Sequence, residues 1–239
     1  MNKIFFFSLS FSLLALQGIT ALPTTEKNSQ KNSSTPFVPA QAREFASRAE
    51  RAFASGDLGQ AESLYKEALT FCPNNDSLLV SLAAVETRMG QADQSEKFLE
   101  QALHLNFRNA PAWLLLGMNY LEQKRDEEAF AALVQATLYD DRNPRGHNYL
   151  GIASGRKGWK EASEEELRRA IELDPKYADA NFNLAVLYLR HTPPLTELAR
   201  RHYQQALDLG SSKDPVIEAQ LAKAVASTPA SPTPSNVLP

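Results

Sequence analysis

The segment APAWLLLGMNYLEQKRDEEAFAALVQATLYDDRN, residues 110–143, carries a pattern that recurs along the chain about every 34 residues. A series of alanines has steps of 34, 34, 34 and 36 residues: Ala68, Ala102, Ala136, Ala170 and Ala206. A series of leucines has the same spacing: Leu82, Leu116, Leu150 and Leu184. A period near 34 with one small residue at a fixed place is typical of stacked helix-turn-helix repeats. We expect the alanines to lie where two helices approach closely, because a larger side chain would push the helices apart.

The turn residues and prolines divide the chain into five such repeats. The repeats occupy residues 41–213, at about 42–75, 76–109, 110–143, 144–177 and 178–213. Gly56, Gly90 and Gly158 interrupt the helical pattern inside a repeat, where a helical hairpin would turn. Pro111 and Pro144 stand in the first turn of a repeat, where the N–H groups of a helix have no partner within it. The predicted fold class is therefore all-α, an α-solenoid of five helical hairpins.

The two ends of the array carry their own signals. Arg48 stands where the later repeats have leucine, which suits a first helix with no helix before it. The fifth repeat is two residues longer than the others around Thr192-Pro193-Pro194, so its hairpin loop should be longer. After it, Asp214 and Pro215 fit the N-cap and first turn of a further helix over residues 214–226. This C-terminal helix is expected to cap the last repeat, because a solenoid must cover its terminal apolar face.

The N-terminal residues 1–21 have the features of a secretory signal peptide. Lys3 gives a short charged start, an apolar run of about 13 residues follows, and Ala21 offers a small residue before a cut. A membrane span needs roughly 20 apolar residues. We therefore expect an exported protein, periplasmic or secreted. The alternative is an uncleaved anchor in the inner membrane, since Ile19 fits the cleavage pattern poorly.

Two segments outside the repeats have the composition of disordered chain. Residues 22–40 form a linker rich in serine, threonine, asparagine, lysine and proline. Residues 227–239 form a tail with four prolines. Neither segment has enough apolar residues to build a core of its own.

The composition excludes several classes of function. The chain has 25 Lys and Arg against 28 Asp and Glu, whereas nucleic-acid binding would need a basic stripe. The single cysteine, Cys72, cannot form an internal disulfide. The four histidines are spread over different repeats without a metal-binding motif; His191 and His202 flank the long loop, but two ligands do not make a site. We predict no catalytic residues, no metal, no cofactor and no small-molecule substrate, so the protein is not expected to be an enzyme.

Two segments resemble the tetratricopeptide repeat (TPR) family. WLLLGMNY at residues 113–120 is close to the family's pattern for the first helix of a repeat. GWKEA at residues 158–162, followed by AIELDP at 170–175, is similar to its pattern for the second helix, although Ser163 takes the place of the usual alanine. The resemblance covers about residues 42–213 and implies a right-handed α-solenoid used for protein–protein interaction.

The resemblance also implies a binding face. In the family, the first helix of each repeat lines a concave surface, chiefly with its fifth and ninth residues. Here the predicted peptide-binding groove consists of Val80, Leu114, Met118, Asn148, Ile152, Phe182 and Val186, with Arg145, Arg156 and Arg190 beside them. Such a groove would suit an extended peptide or an amphipathic helix. The alternative is that the apolar side chains complete the core and the arginines lie near helix C-termini, where the helix dipole favours a cation.

Two functions are compatible with this sequence. The first is an exported adaptor that binds a peptide or helix of an envelope protein in its concave groove. The alternative is a structural or assembly component of a pilus, secretion or cell-wall complex, which could associate with itself. The partner is a protein or peptide in both cases, and a membrane is involved only if the leader stays uncleaved.

Overall fold

Residues 38–226 are described in a computed structural model of the chain, and all regular structure within that range is α-helical. Eleven helices follow one another: α1 Ala40–Ser55, α2 Leu58–Phe71, α3 Asp76–Arg88, α4 Ala92–Leu105, α5 Ala110–Glu122, α6 Asp126–Tyr139, α7 Pro144–Arg156, α8 Lys160–Leu173, α9 Ala178–Leu189, α10 Thr196–Asp208 and α11 Pro215–Ala226. The predicted signal peptide (residues 1–21), most of the predicted linker (residues 22–40) and the predicted tail (residues 227–239) lie outside the described residues.

The first ten helices pack as five consecutive hairpins, each made of two helices that are adjacent in sequence. This confirms the predicted class, an all-α solenoid of helical hairpins with one further helix after the fifth. The chain divides into two compact units after Asp141. The N-terminal unit contains α1–α6 and the C-terminal unit contains α7–α11. No helix within residues 38–226 has the length and apolar character that crossing a membrane requires.

An asparagine caps the first helix of three successive repeats. Asn75 accepts a hydrogen bond from the backbone N–H of Leu78, and Asn109 accepts one from Ala112. Asn143 accepts one from Arg145 at the start of α7. These contacts satisfy N–H groups that the helix itself leaves without an acceptor. They give each of the three hairpins a defined start.

The hairpin turns use the left-handed backbone conformation. Gly56, Gly90 and Gly158 have φ of 85°, 76° and 82°, in agreement with their predicted place in the turns. The third hairpin has Lys124 at this position, with φ of 61°. A side chain in this conformation costs roughly 1–2 kcal/mol because its Cβ crowds the following carbonyl oxygen. The longer loop predicted for the fifth repeat is confirmed, since α9 ends at Leu189 and α10 begins at Thr196.

Small residues lie at the contacts between the two helices of a hairpin. All five alanines of the repeating series are buried. Gly117 on α5 lies very close to its partner helix, because a Cβ at Gly117 would lie 2.5 Å from Cγ of Leu133. A Cβ at Gly151 on α7 would likewise lie 2.7 Å from Cγ of Leu167. The first helix of these hairpins therefore also requires a residue without a side chain.

The C-terminal helix α11 covers the fifth repeat, as expected. Ile217 and Leu221 are buried in a cluster with Leu184, Tyr188 and Tyr203 of α9 and α10. The carboxylate of Asp214 accepts hydrogen bonds from the backbone N–H groups of residues 216 and 217, at 2.8 and 3.1 Å, which caps the helix.

Candidate functional site

Three of the predicted groove residues lie in the N-terminal unit, and all three are buried. Val80 is 3% exposed, Leu114 4% and Met118 2%. Neighbouring helices therefore cover almost all of these side chains. A ligand on this part of α3 and α5 would touch little of their apolar surface.

The other seven predicted residues lie in the C-terminal unit, and they differ in accessibility. Asn148 and Ile152 on α7 are buried. Phe182 and Val186 on α9 are only partly buried, and they pack against the cluster formed with α10 and α11. The accessible apolar surface among the predicted residues is therefore on α9, in the last repeat.

A polar contact joins α7 and α9 beside these apolar residues. The Nδ2 of Asn183 donates a hydrogen bond to Oδ1 of Asn148 at 2.9 Å, and Nδ2 of Asn148 donates to the hydroxyl of Tyr177 at 3.4 Å. Burial raises the pKa of the Tyr177 phenol well above its ordinary range. Burial also raises the pKa of Asp179, while the Arg145 cation opposes that rise. The contact between α7 and α9 thus combines amide, phenol and charged groups in the unit that also carries Phe182 and Val186.

The asparagine pair was not predicted. Asn148 is the fifth residue of the fourth repeat, whereas Asn183 is the sixth residue of the fifth repeat. The two asparagines therefore do not share one position of the repeat, and the repeat pattern does not connect them. Their pairing depends on how α9 packs against α7, which the sequence pattern does not give.

The three predicted arginines stand at helix ends in the C-terminal unit. Arg145 is in the first turn of α7, Arg156 is its last residue, and Arg190 follows the end of α9. The backbone oxygen of Arg190 accepts a hydrogen bond from Nζ of Lys160 at 3.1 Å. Arg190 is exposed, and the other two are partly buried.

Arg88 has the same position in the second repeat as Arg156 and Arg190 have in the fourth and fifth. It has a structural role. Its Nη1 donates a hydrogen bond to the backbone oxygen of Phe53 at 2.9 Å, and its guanidinium lies 4.5 Å from the centre of the Phe53 ring. Phe53 is in the last turn of α1, where backbone oxygens lack a partner within the helix. Arg88 is thus a cation at the C-terminal end of α1, where the helix dipole favours positive charge.

A closed ring of hydrogen bonds joins three helices inside the N-terminal unit. Asn119 Nδ2 donates to Ser95 Oγ at 2.8 Å, and Thr87 Oγ1 donates to Asn119 Oδ1 at 3.0 Å. The hydroxyls of Ser95 and Thr87 are 2.9 Å apart, so Ser95 can donate to Thr87 and complete the ring. All three side chains are buried. The ring links α3, α4 and α5, and it stabilises the contact between the second and third repeats.

Tyrosine hydroxyls bind carboxylates between successive repeats. Tyr120 donates to Oε1 of Glu96 at 2.9 Å, and Arg125 also binds this carboxylate, at 2.9 Å. In the C-terminal unit, Tyr188 donates in the same way to Glu164 at 3.0 Å. These contacts are interactions of the fold, since each carboxylate already has a partner from the neighbouring repeat.

The second repeat has a carboxylate where Tyr120 and Tyr188 stand in theirs. Glu86 is 1% exposed, and neither of its carboxylate oxygens has a hydrogen-bond partner. Burial raises its pKa, the nearby Glu62 carboxylate raises it further, and the Lys66 cation opposes the rise. The sequence pattern does not mark this group, because the burial of Glu86 depends on how α3 packs against α2.

The two histidines that flank the long loop pack on the same ring. The ring centres of His191 and His202 lie 6.2 and 5.7 Å from that of Tyr188. Nδ1 of His202 is 3.0 Å from Oδ1 of Asn181, and burial lowers the pKa of its imidazole. Among residues 38–226, no group of three or more potential ligands could hold a metal ion.

Consecutive helical hairpins of about 34 residues define a helical-repeat protein, a class that presents extended surfaces for protein–protein interaction. The chain belongs to the tetratricopeptide repeat family: family models described as tetratricopeptide repeat match residues 52–107, 87–150, 147–177 and 166–208.

Similar solved structures have the same fold. The chain matches pilF of Pseudomonas aeruginosa with a TM-score of 0.69 and 22% identity, over 78% of this chain and 85% of that one. It matches TTC0263 of Thermus thermophilus with a TM-score of 0.62 and 20% identity, over 77% and 99%. It matches YrrB, described as a TPR protein with an unusual peptide-binding site, with a TM-score of 0.58 and 19% identity, over 76% and 92%. At these identities the likeness concerns the fold.

Two curated relatives are much longer than this chain. The human protein O-mannosyl-transferase TMTC1 is 25% identical over 159 residues, which is 65% of this chain and 18% of that protein. The general transcriptional corepressor ssn6 of Schizosaccharomyces pombe is 26% identical over 127 residues, which is 52% of this chain and 12% of that protein. The chain therefore spans less than a fifth of either relative.

Proposed function

We propose that this protein is a non-enzymatic adaptor that binds a peptide or helix of an envelope protein on the inner face of α7 and α9. The general role of the family in protein–protein interaction supports the class of activity. The observation that carries the location is the partly exposed pair Phe182 and Val186 beside the Asn148–Asn183 contact.

The chemistry of this face suits a segment with apolar and acidic residues. Phe182 and Val186 supply apolar surface, and burying one such side chain contributes roughly 1.5–3 kcal/mol. Arg145, Arg156 and Arg190 supply positive charge at the ends of α7 and α9. Charge complementarity of this kind governs the choice of partner and the association rate. Leu114, Met118 and Val80 remain part of the proposal only as support beneath the surface, because they are buried.

The proposed location outside the cytoplasm rests on residues 1–21. Their short charged start, apolar run and small residue before Leu22 support export by a cleaved signal peptide. An envelope partner follows from that location. The alternative of an anchored N-terminus would place the repeats at a membrane surface instead.

The proposal is tested by capture from an envelope fraction and by binding to the captured protein. The full chain and its Phe182→Ser Val186→Ser variant serve as baits, and Val216→Ser is the matched control, because Val216 is an exposed apolar residue on a different helix, α11. We expect the wild type and the control to retain the same partner and the double variant to lose it. Titration with peptides of that partner should show at least about tenfold weaker binding to the double variant.

A folded double variant that binds the partner at full strength would refute this site. Helical circular dichroism decides whether the variant is folded. Light scattering tests the assembly alternative: a stable homo-oligomer would favour a structural component, whereas a monomer supports an adaptor.

A further inference from the structure

A second surface lies between α4 and α5 in the N-terminal unit, apart from the inner-face residues. A groove of about 440 Å³ at the start of the array is lined by Arg48 and Arg51, whereas the groove between α4 and α5 holds about 630 Å³. Ligand sites commonly have volumes of roughly 300–1,000 Å³. The larger groove is lined by Lys97, Glu100, Leu103, His104, Phe107 and Trp113, among others. Trp113 of this groove and Leu114 of the predicted peptide-binding groove are adjacent on α5. Their side chains therefore point in directions about 100° apart, and the two surfaces are different.

A pair of aromatic rings, Phe107 and Trp113, forms one wall of this groove. Phe107 is 56% exposed, and its ring meets that of Trp113 edge to face, with the centres 5.2 Å apart at 81°. Nε1 of Trp113 donates a hydrogen bond to the backbone oxygen of Phe107 at 2.7 Å, which fixes the orientation of the indole. Phe107 also lies 6.1 Å from the ring of Tyr139. The pair is therefore an apolar surface that is held in place, with Phe107 exposed and Trp113 partly buried.

The rim of the groove favours an uncharged ligand. Lys97 and Glu100 stand on it with opposite charges, so neither sign dominates. The N–H of Trp113 is used within the protein, so the indole offers a ligand ring contacts rather than a hydrogen bond. Aromatic grooves of this kind bind proline-rich segments in the extended polyproline II conformation, which has little conformational entropy to lose.

We propose that this groove binds residues 227–239 of this chain, STPASPTPSNVLP. This segment contains four prolines and no charged residue. Pro229 and Pro232 are three residues apart, which is one turn of polyproline II, about 9 Å. In a polyproline II helix two prolines at this spacing lie on the same edge, so a ligand bound in that conformation can contact the Phe107–Trp113 pair with both. This self-recognition is independent of the inner face of α7 and α9.

Tryptophan fluorescence tests the proposal directly. The chain has two tryptophans, so a Trp159→Phe background leaves Trp113 as the reporter. The receptor is the full chain with Pro229→Ala and Pro232→Ala, and the probe is a synthetic peptide of residues 227–239. We expect a saturable change in Trp113 emission. The same peptide with alanine at both proline positions should bind about tenfold more weakly or worse.

Single substitutions in the receptor show where on the protein the peptide binds. Phe107→Ala should weaken binding of the peptide about tenfold. Phe71→Ala is the control, because Phe71 is 45% exposed and stacks on Phe45 with ring centres 5.8 Å apart; it should bind within about twofold of the unchanged receptor. A chain with the natural tail should bind the added peptide more weakly than the receptor with the proline substitutions, because its own tail competes.

Three results would each overturn the proposal. They are the absence of a saturable signal, equal affinity for the natural and the alanine-substituted peptides, and equal affinity of receptors with the natural and the substituted tail. The comparison of the two peptides uses one unchanged receptor, so it decides the question even if Phe107→Ala disturbs the fold.

Discussion

The backbone of Gly117 on α5 lies so close to Leu133 on α6 that a Cβ at Gly117 would be 2.5 Å from Leu133 Cγ. Real Cβ atoms do not approach another carbon this closely. The two helices of the third repeat therefore reach their separation only because residue 117 has no side chain. The position of this contact inside the hairpin makes it a sensitive test of the packing.

Gly117→Ala should destabilise the protein. The added methyl group forces Leu133 or a helix to move, which costs roughly 1–3 kcal/mol. Urea unfolding followed by circular dichroism measures the change in unfolding free energy. Gly59→Ala on α2 is the control, because no atom lies within 4 Å of a Cβ there, and alanine in a helix should be neutral or favourable. Equal effects of the two substitutions would contradict the close approach.

Asn119→Ala should also destabilise the protein, by breaking the buried ring. The loss leaves Ser95 and Thr87 with fewer partners in a buried site, which costs about 1–3 kcal/mol. A double-mutant cycle with Ser95→Ala should give a coupling energy of about 0.5 kcal/mol or more. Additive effects of the two substitutions would show that the ring is not a cooperative unit.

Lys124→Gly should stabilise the protein. Glycine removes the cost of a side chain at φ of 61°, which is roughly 1–2 kcal/mol. The substitution also removes the contacts of the exposed Lys124 side chain, which contribute about 0–1 kcal/mol. We therefore expect a higher melting temperature. The neighbouring Gln123 has φ of −74°, so Gln123→Gly gives no relief and should lower the melting temperature. A gain at residue 123, or a loss at 124, would run against this account.

Glu86→Gln should make the stability less dependent on pH. A carboxyl group whose pKa is raised in the folded state binds its proton more tightly there than in the unfolded chain. Below a pH near 4.5, the ordinary pKa of a glutamate, Glu86 therefore has no effect on the free energy of unfolding. As the pH rises from that value through the raised pKa of the folded state, the free energy of unfolding falls. Unfolding curves at several pH values should show the glutamine variant as more stable near neutral pH and the difference vanishing in acid.

The control for this measurement is Glu165→Gln, which changes an exposed glutamate on α8. It should leave the pH dependence of stability close to that of the wild type. A Glu86→Gln variant that loses stability at neutral pH would mean that the carboxylate has a partner that stabilises its charged form.

The leader should direct export and be removed. We expect intact-protein mass spectrometry of the native protein to give an N-terminus near Leu22. A variant with Leu13→Arg in the apolar run should remain in the cytoplasm at full length, because a charge interrupts the signal. Recovery of a full-length, membrane-bound wild type would establish the anchor alternative.

The features predicted from the sequence depend mainly on local chain geometry. Glycine at residues 56, 90 and 158 marks a turn because it adopts a positive φ at little cost. Pro111 and Pro144 mark the first turn of a helix for a similarly local reason. The caps Asn75, Asn109 and Asn143 are equally local features, since an asparagine before the first helix of three successive repeats recurs every 34 residues.

The properties of the candidate site depended on neighbours that are distant in sequence. Asn148 binds Asn183, 35 residues further on, because two helices of successive repeats meet there. Glu86 is buried opposite Glu62 of the preceding repeat. A one-dimensional pattern identifies the register of such residues and not the distance between their atoms.

The sequence by itself determined the helices, the five hairpins and the capping helix, because these follow from the helical period, the turn residues and a repeat of about 34. Only the tertiary structure decided which of the predicted groove residues keep an accessible side chain. Leu114 and Phe182 are both the fifth residue of a repeat, yet Leu114 is buried and Phe182 is partly exposed. The difference arises because the side chains packed over a position belong to neighbouring repeats, and the last repeat is followed by the single helix α11 rather than by another hairpin.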